Sequence, residues 1–137
     1  MTTEIAALQG ALAAEHAAVY GYGVVGARLG GGQQSDARAD WTAHQVARDT
    51  LVSMLTSLGA TPVAASPAYA LPFAVTNAQS AERLAATIEN RVTQAYLGLV
   101  AVNTPTLRAF AAKAMQACAK RSVAWSGTTQ AFPGLPA

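Results

Sequence analysis

Residues 60–76, ATPVAASPAYALPFAVT, decide the fold of this chain because they separate two long helical stretches. The segment follows Gly59 and contains three prolines, and both residue types interrupt helices. At about 3.3–3.6 Å per extended residue, it can cross the length of a helical bundle. Tyr69, Leu71 and Phe73 make it more apolar than a flexible linker. We therefore expect an ordered crossover at about residues 60–76.

Four helices flank this crossover, two on each side. Alanine, the best helix former, is the commonest residue of the chain, and apolar residues recur at intervals of three and four. The predicted helices are Thr3–Leu29, Asp36–Leu58, Asn77–Val102 and Pro105–Ser126. Because the connections within each half are short, the helices of each half should pair antiparallel. We expect one all-α domain over residues 1–137, a bundle of two antiparallel hairpins, with residues 127–137 as a C-terminal tail.

The charge pattern excludes several classes of partner. The formal net charge is +2 and the longest basic run is the pair Lys120–Arg121, whereas nucleic-acid binders carry a basic stripe. The longest uncharged run, Thr50–Ala81, is interrupted by Gly59 and three prolines, so it does not predict a membrane span. The N-terminus has no basic signal region, and a single cysteine, Cys118, excludes an internal disulfide. We expect a cytoplasmic protein that binds neither nucleic acid nor membranes.

Each predicted helix carries a polar residue near the middle of its apolar face. Helix one has Glu15 and helix two has His44 and Arg48, while helix three has Glu89 and helix four has Arg121. A buried carboxylate must be paired, protonated or bound to a metal. These five side chains should converge on one central layer of the bundle, and this buried polar cluster is the candidate site.

The pattern resembles the ferritin-like superfamily, whose bundles join two hairpins by a long crossover. In the di-iron members, Glu15 would match the Glu of the first helix, His44 the His of the second and Glu89 the Glu of the third. Residues 15–23 and 44–49 resemble more closely an uncharacterised ferritin-like family, a domain of unknown function. The resemblance implies a ferritin-like four-helix bundle with a di-iron site at these positions. The weak positive charge disfavours a DNA-protecting mini-ferritin.

Half of the di-iron ligand set is nevertheless absent, so the site is degenerate. Trp41 stands three residues before His44, where the bridging Glu is expected. Helix four offers Ser122 and Trp125 in place of the second Glu-x-x-His pair. We interpret the two tryptophans as core fillers that stand where ligands would be. The two arginines of the central layer would also compete with a metal ion for carboxylate oxygens.

Two main hypotheses follow for the central layer. In the first, Glu15 and Glu89 neutralise Arg48 and Arg121 and His44 hydrogen-bonds among them, which gives an ion-pair network in a non-catalytic scaffold with a binding or structural role. This scaffold needs no cofactor and has no catalytic residue. In the alternative, Glu15, His44 and Glu89 bind one iron or manganese ion in an atypical oxidoreductase site. A small ligand in the bundle core is a further alternative.

Helix one indicates a partner. It has no charged residue between Ala17 and Ala27 on any face, and a helix that is apolar all round is usually buried all round. Either the C-terminal tail, through Phe132, Pro133 and Leu135, covers this surface, or a second subunit does. We expect a homodimer through helix one.

Overall fold

The computed structural model describes residues 2–127 and consists of four α-helices, which confirms the prediction of an all-α chain. The helices are α1 (Thr2–Ala27), α2 (Gly31–Ser57), α3 (Ala78–Val100) and α4 (Pro105–Ser126). Residues 2–127 contain no β-strand, and none of their helices is long and apolar enough to cross a membrane. The tail residues Phe132, Pro133 and Leu135, predicted as one cover for α1, lie outside the described residues.

Local signals set the helix ends. α2 begins at Gly31, earlier than the predicted Asp36, because Gly30 has an extended backbone and serves as its N-cap. Gly31 has a φ of +56°, a left-handed conformation that glycine adopts without a steric penalty. The turn from α1 to α2 is therefore tighter than predicted. At the start of α3, the Asn77 side chain accepts a hydrogen bond from the Ser80 amide and the Ser80 hydroxyl accepts one from the Asn77 amide, which forms a capping box.

Three helix pairs pack closely, namely α1 with α2, α1 with α3, and α3 with α4. Two contacts give the relative direction of α2 and α3. Near the start of both helices, the Gln33 amide donates to the Glu82 carboxylate at 2.5 Å, and further along both, His44 lies 2.8 Å from Glu89. The two helices therefore run in the same direction, although they follow each other in the chain.

The helices differ in how much of their surface is buried. α3 buries side chains along most of its length, whereas α2 buries only Ala37, His44, Leu51 and Leu55, and α4 only Ala111, Cys118 and Ser122. The difference follows from the packing, because α2 and α4 each pack closely against a single neighbour. α1 and α3 thus form the centre of the molecule, and α2 and α4 each contribute a narrow stripe to it.

Residues 58–77, between α2 and α3, lie across the outer side of α1 as a strap without helix or strand. The Gln9 amide donates to the Thr61 carbonyl at 2.7 Å and accepts from the Val63 amide at 2.8 Å. Further along α1, His16 Nε2 donates to the Val63 carbonyl at 2.9 Å. Within the uncharged stretch of α1, the Tyr20 ring lies 5.7 Å from the Tyr69 ring of the strap, centroid to centroid. The strap therefore covers part of the apolar surface for which only the tail or a second subunit had been predicted as a cover.

Candidate functional site

Glu15, His44 and Glu89 meet at the centre of the bundle and are buried, with relative exposures of 1%, 0% and 0%. His44, from α2, lies between the two carboxylates. Its Nδ1 is 2.5 Å from Glu15 Oε1 on α1, and its Nε2 is 2.8 Å from Glu89 Oε2 on α3. The imidazole ring therefore bridges the two central helices through both of its nitrogen atoms.

Two tyrosines also donate hydrogen bonds to the carboxylates of Glu15 and Glu89. The Tyr96 hydroxyl of α3 donates to Glu15 Oε2 on α1 at 2.9 Å, and the Tyr22 hydroxyl of α1 donates to Glu89 Oε2 on α3. Each tyrosine follows the glutamate of its own helix by seven residues and bonds the glutamate of the other. The antiparallel helices α1 and α3 are therefore joined by two equivalent tyrosine–glutamate hydrogen bonds, and His44 lies between them.

Neither Tyr22 nor Tyr96 was among the residues predicted for the polar layer. The signal that could have identified them is the Glu-x6-Tyr interval, which occurs in α1 at Glu15 and in α3 at Glu89. Seven residues are about two helical turns, so the two side chains share one helix face. Burial and the neighbouring carboxylate charges raise the pKa of both phenols, which keeps them protonated as donors.

Arg121 of α4 closes the cluster at its outer edge. Its Nε donates to Glu89 Oε1 at 3.1 Å, and the side chain is 22% exposed. The same guanidinium donates to Cys118 Sγ at 3.5 Å. Burial and the charge of Glu89 raise the pKa of the Cys118 thiol, which is 1% exposed. Cys118 is therefore a protonated buried thiol and not a reactive one.

The protonation of His44 follows from its partners. Ionised carboxylates only accept hydrogen bonds, so both ring nitrogens must donate, as they do in the imidazolium form. Burial alone would lower the pKa of His44, but the hydrogen bonds and charges of Glu15 and Glu89 outweigh it and raise the pKa to about 9. Burial likewise would raise the pKa of Glu89, yet His44 and Arg121 hold it below its usual range.

The central group is balanced in charge, and its hydrogen bonds are all satisfied. Its members are Glu15, Tyr22, His44, Glu89, Tyr96 and Arg121. Two carboxylates face one imidazolium and one guanidinium, so the formal charges cancel. Among the described residues, every buried side-chain nitrogen and oxygen atom has a hydrogen-bond partner. Buried polar groups that are fully partnered in this way fix one packing arrangement.

The structure corrects the prediction for Arg48. Its Nε bonds Asp49 Oδ1 at 3.0 Å, and the Asp49 side chain is 70% exposed, so the pair lies at the surface. Arg48 follows His44 by one turn, and a broad buried face on α2 would have placed both inside. Because α2 packs closely only on α1, its buried stripe is too narrow to include Arg48.

Trp41 also lies outside the narrow buried stripe of α2 and is 36% exposed. The prediction that it fills the core is therefore wrong. Trp125 packs against the core, but its indole also donates to Asp40 Oδ2 at 2.8 Å and so connects α4 to α2. The Ser122 hydroxyl donates to Asn90 Oδ1 at 2.9 Å, which ties α4 to α3. Of the residues at the positions of the missing ligands, Trp41 is thus partly exposed, and Ser122 and Trp125 each bond a neighbouring helix.

The geometry does not suit a metal ion on Glu15, His44 and Glu89. Iron and manganese need their protein ligands directed at one point. The two carboxylates instead lie on opposite edges of the His44 ring, and each nitrogen faces a different one. Among the described residues, no three His, Cys, Asp or Glu side chains converge as metal ligands do. As placed here, the His44 ring links the two carboxylates, and the three side chains do not surround a single point.

Comparisons with known proteins identify relatives but no activity. The family described as "Domain of unknown function (DUF4439)" matches residues 7–137. The chain is also similar to the crystal structure of a conserved hypothetical protein, Rv2844, from Mycobacterium tuberculosis. The two are 35% identical with a TM-score of 0.89, and the match covers 92% of this chain and 96% of that one. No curated protein matches the chain.

Proposed function

The chain belongs to the DUF4439 family, and we propose that it is a non-catalytic ferritin-like scaffold in which a buried ion-pair network stands where related bundles hold a di-iron centre. Its role is binding or structural. The proposal concerns three separate features, namely the topology of the bundle, the chemistry of the central layer and the association of two chains.

The course of the chain supports the ferritin-like topology. α2 and α3 run in the same direction, so the chain must return along the bundle between them. In this proposal the strap formed by residues 58–77 makes the return, and its bonds to Gln9 and His16 support a path along α1. One long crossover between two hairpins is the arrangement of ferritin-like bundles, as opposed to bundles with short loops throughout.

The bridging position of His44 is the observation that carries the proposed chemistry. Each ring nitrogen is hydrogen-bonded to a carboxylate, and each carboxylate also accepts a hydrogen bond from a tyrosine hydroxyl. Arg121 takes the remaining oxygen of Glu89. A cation could enter this layer only by displacing an imidazolium or guanidinium that already neutralises the carboxylates. The network therefore supplies internally the positive charge that a metal would bring.

Metal content tests this proposal directly. The protein is purified without a metal-affinity tag, and Fe, Mn and Zn per chain are measured by plasma mass spectrometry before and after anaerobic addition of Fe(II). We expect far less than one metal ion per chain in both samples, because the carboxylates are already neutralised. Near-stoichiometric metal that is lost in Glu15→Gln but retained in Glu82→Gln would overturn the ion-pair proposal and favour the oxidoreductase. Glu82 is a suitable control because it lies outside the central layer and bonds Gln33.

The homodimer through α1 remains a proposal with specific support. In the half of α1 that precedes the uncharged stretch Ala17–Ala27, Ala6, Gly10 and Ala13 are exposed at intervals of four and three residues and so lie on one stripe. Small residues on one stripe let a second helix approach closely. We expect light scattering coupled to size exclusion to give twice the mass of one chain, and Ala13→Glu to reduce it to one. A wild-type protein that is monomeric at tens of micromolar would contradict the dimer.

A further inference from the structure

We propose that the apolar cavity beneath the strap binds an alkyl monocarboxylate of medium chain length, with its tail between α1 and α3 and its carboxylate on Arg91. The cavity shares no lining residue with the central ion-pair network. This inference therefore goes beyond the proposed scaffold role and can fail or succeed independently of it.

The shape of the cavity follows from small residues on α1. Ala14, Ala17 and Gly21 form its floor, and none of them carries a side chain longer than a methyl group. Leu84 and Ile88 of α3 form one wall. Because the floor is so low, the strap passes above α1 without filling the space between them, and a volume of about 250 Å³ remains.

The roof consists of residues 69–72 of the strap and is held at defined points. The Tyr69 ring lies 5.7 Å from the Tyr20 ring, centroid to centroid. Beyond the roof, Phe73 packs under the Arg83 guanidinium at 4.1 Å, and this contact fixes the strap against α3. The cavity is thus bounded by two helices and an anchored segment, which is the kind of largely preformed apolar site that small ligands occupy.

The volume and lining of the cavity define the apolar part of the ligand. An engineered apolar cavity of about 150 Å³ already binds benzene, so 250 Å³ accommodates a larger hydrocarbon. The walls are aliphatic or aromatic, and the exposed polar surface of the cavity comes from few groups. A flexible alkyl chain suits this apolar space between two helices better than a polar metabolite.

The charge at the rim defines the head group. Arg91 lines the cavity, is exposed to solvent and makes no hydrogen bond or ion pair within residues 2–127. Its guanidinium can receive a carboxylate through two parallel hydrogen bonds. No acidic side chain lines this cavity, so an anionic head group meets a field of complementary sign. An apolar slot with one available cation at its rim is matched by an anionic amphiphile.

The test uses octanoate and 1-octanol, which share an alkyl chain and differ in head-group charge. The chain has two isoleucines, Ile5 and Ile88, so methyl labelling of isoleucine yields two NMR signals. Ile88 lines the cavity and Ile5 lies near the other end of α1. We expect octanoate to shift the Ile88 methyl signal in a saturable manner below its micelle concentration and to leave Ile5 unchanged. No shift of Ile88, or a shift of Ile5 alone, would overturn the proposal.

Three variants separate the tail from the head group. Ala17→Leu fills the floor and should abolish binding of both ligands, whereas Ser53→Leu, in a separate apolar cavity between α2 and α4, should not. Arg91→Gln should weaken octanoate binding about fivefold, as expected for a partly exposed ion pair, and leave 1-octanol unchanged. Arg28→Gln, at another exposed arginine, is the matched control. Octanoate affinity that is equal in Arg91→Gln and wild type would disprove the assigned role of Arg91.

Discussion

Replacing Glu89 by Gln is expected to lower the free energy of unfolding by about 3–5 kcal/mol, the usual cost of removing one partner from a buried charged pair. Glu89 is fully buried and accepts from His44, Tyr22 and Arg121. The amide of Gln has nearly the same shape, but it carries no charge and presents two donors to a site whose partners are all donors. Two cations would then share the single carboxylate of Glu15. Urea denaturation monitored by circular dichroism measures the difference.

Glu82→Gln is the matched control for this variant because Glu82 lies two turns earlier on the same helix. Its carboxylate accepts only from Gln33 and is not fully buried, so its replacement should cost less than about 1 kcal/mol. Equal destabilisation by the two substitutions would mean that the central network contributes nothing beyond an ordinary surface interaction.

The stability of the wild-type protein should fall by about 3 kcal/mol between pH 6.5 and pH 9. The pKa of His44 is about 9 in the folded state and 6.5 in the absence of its partners. Between these values the folded protein retains a proton that the unfolded chain has released, so the unfolding free energy decreases as pH rises. Each pH unit of this difference corresponds to about 1.4 kcal/mol. Denaturant midpoints measured at half-unit pH intervals would show the slope.

At acid pH the dependence is reversed, and the free energy of unfolding falls as pH decreases. The pKa of Glu89 lies below its ordinary value of 4.5 in the folded state, so its contribution is complete above pH 4.5 and is lost as pH falls further. The network should therefore stabilise the fold most between about pH 4.5 and pH 6.5. His44→Gln should remove the slope between pH 6.5 and about pH 8, below the range in which the Cys118 thiol of the unfolded chain ionises, whereas His16→Gln should preserve it. A slope that persists in His44→Gln would assign the titration to another group.

The sequence was sufficient to find most of the central layer because polar residues stand out within an apolar periodic pattern. Glu15, His44, Glu89 and Arg121 each interrupt the three-and-four spacing of their helix, and the structure brings all four together. Helix number and type were equally accessible, since glycines, prolines and an alanine-rich composition determine them locally.

The errors concern how the helices are arranged around one another. Arg48 and Trp41 were placed inside because the prediction gave every helix an equally broad buried face. In the folded protein α2 packs closely on α1 only, and both residues lie outside its buried stripe. Spacing along one helix cannot reveal how many neighbours that helix has. Tyr22 and Tyr96 were missed for a different reason, since a tyrosine on a seam is equally compatible with an apolar contact and with a hydrogen bond.

The crossed bonds between the tyrosines and glutamates of α1 and α3 limit which changes in length the chain can accept. One residue inserted between Glu15 and Tyr22 would rotate the phenol by about 100° around the helix axis and away from Glu89. A deletion between Glu89 and Tyr96 would have the same effect on the bond to Glu15. Outside these two seven-residue intervals the constraint is absent, and residues 64–68 of the strap are all exposed. Natural length variation and engineered insertions should therefore be tolerated in the strap and rejected between each glutamate and its tyrosine.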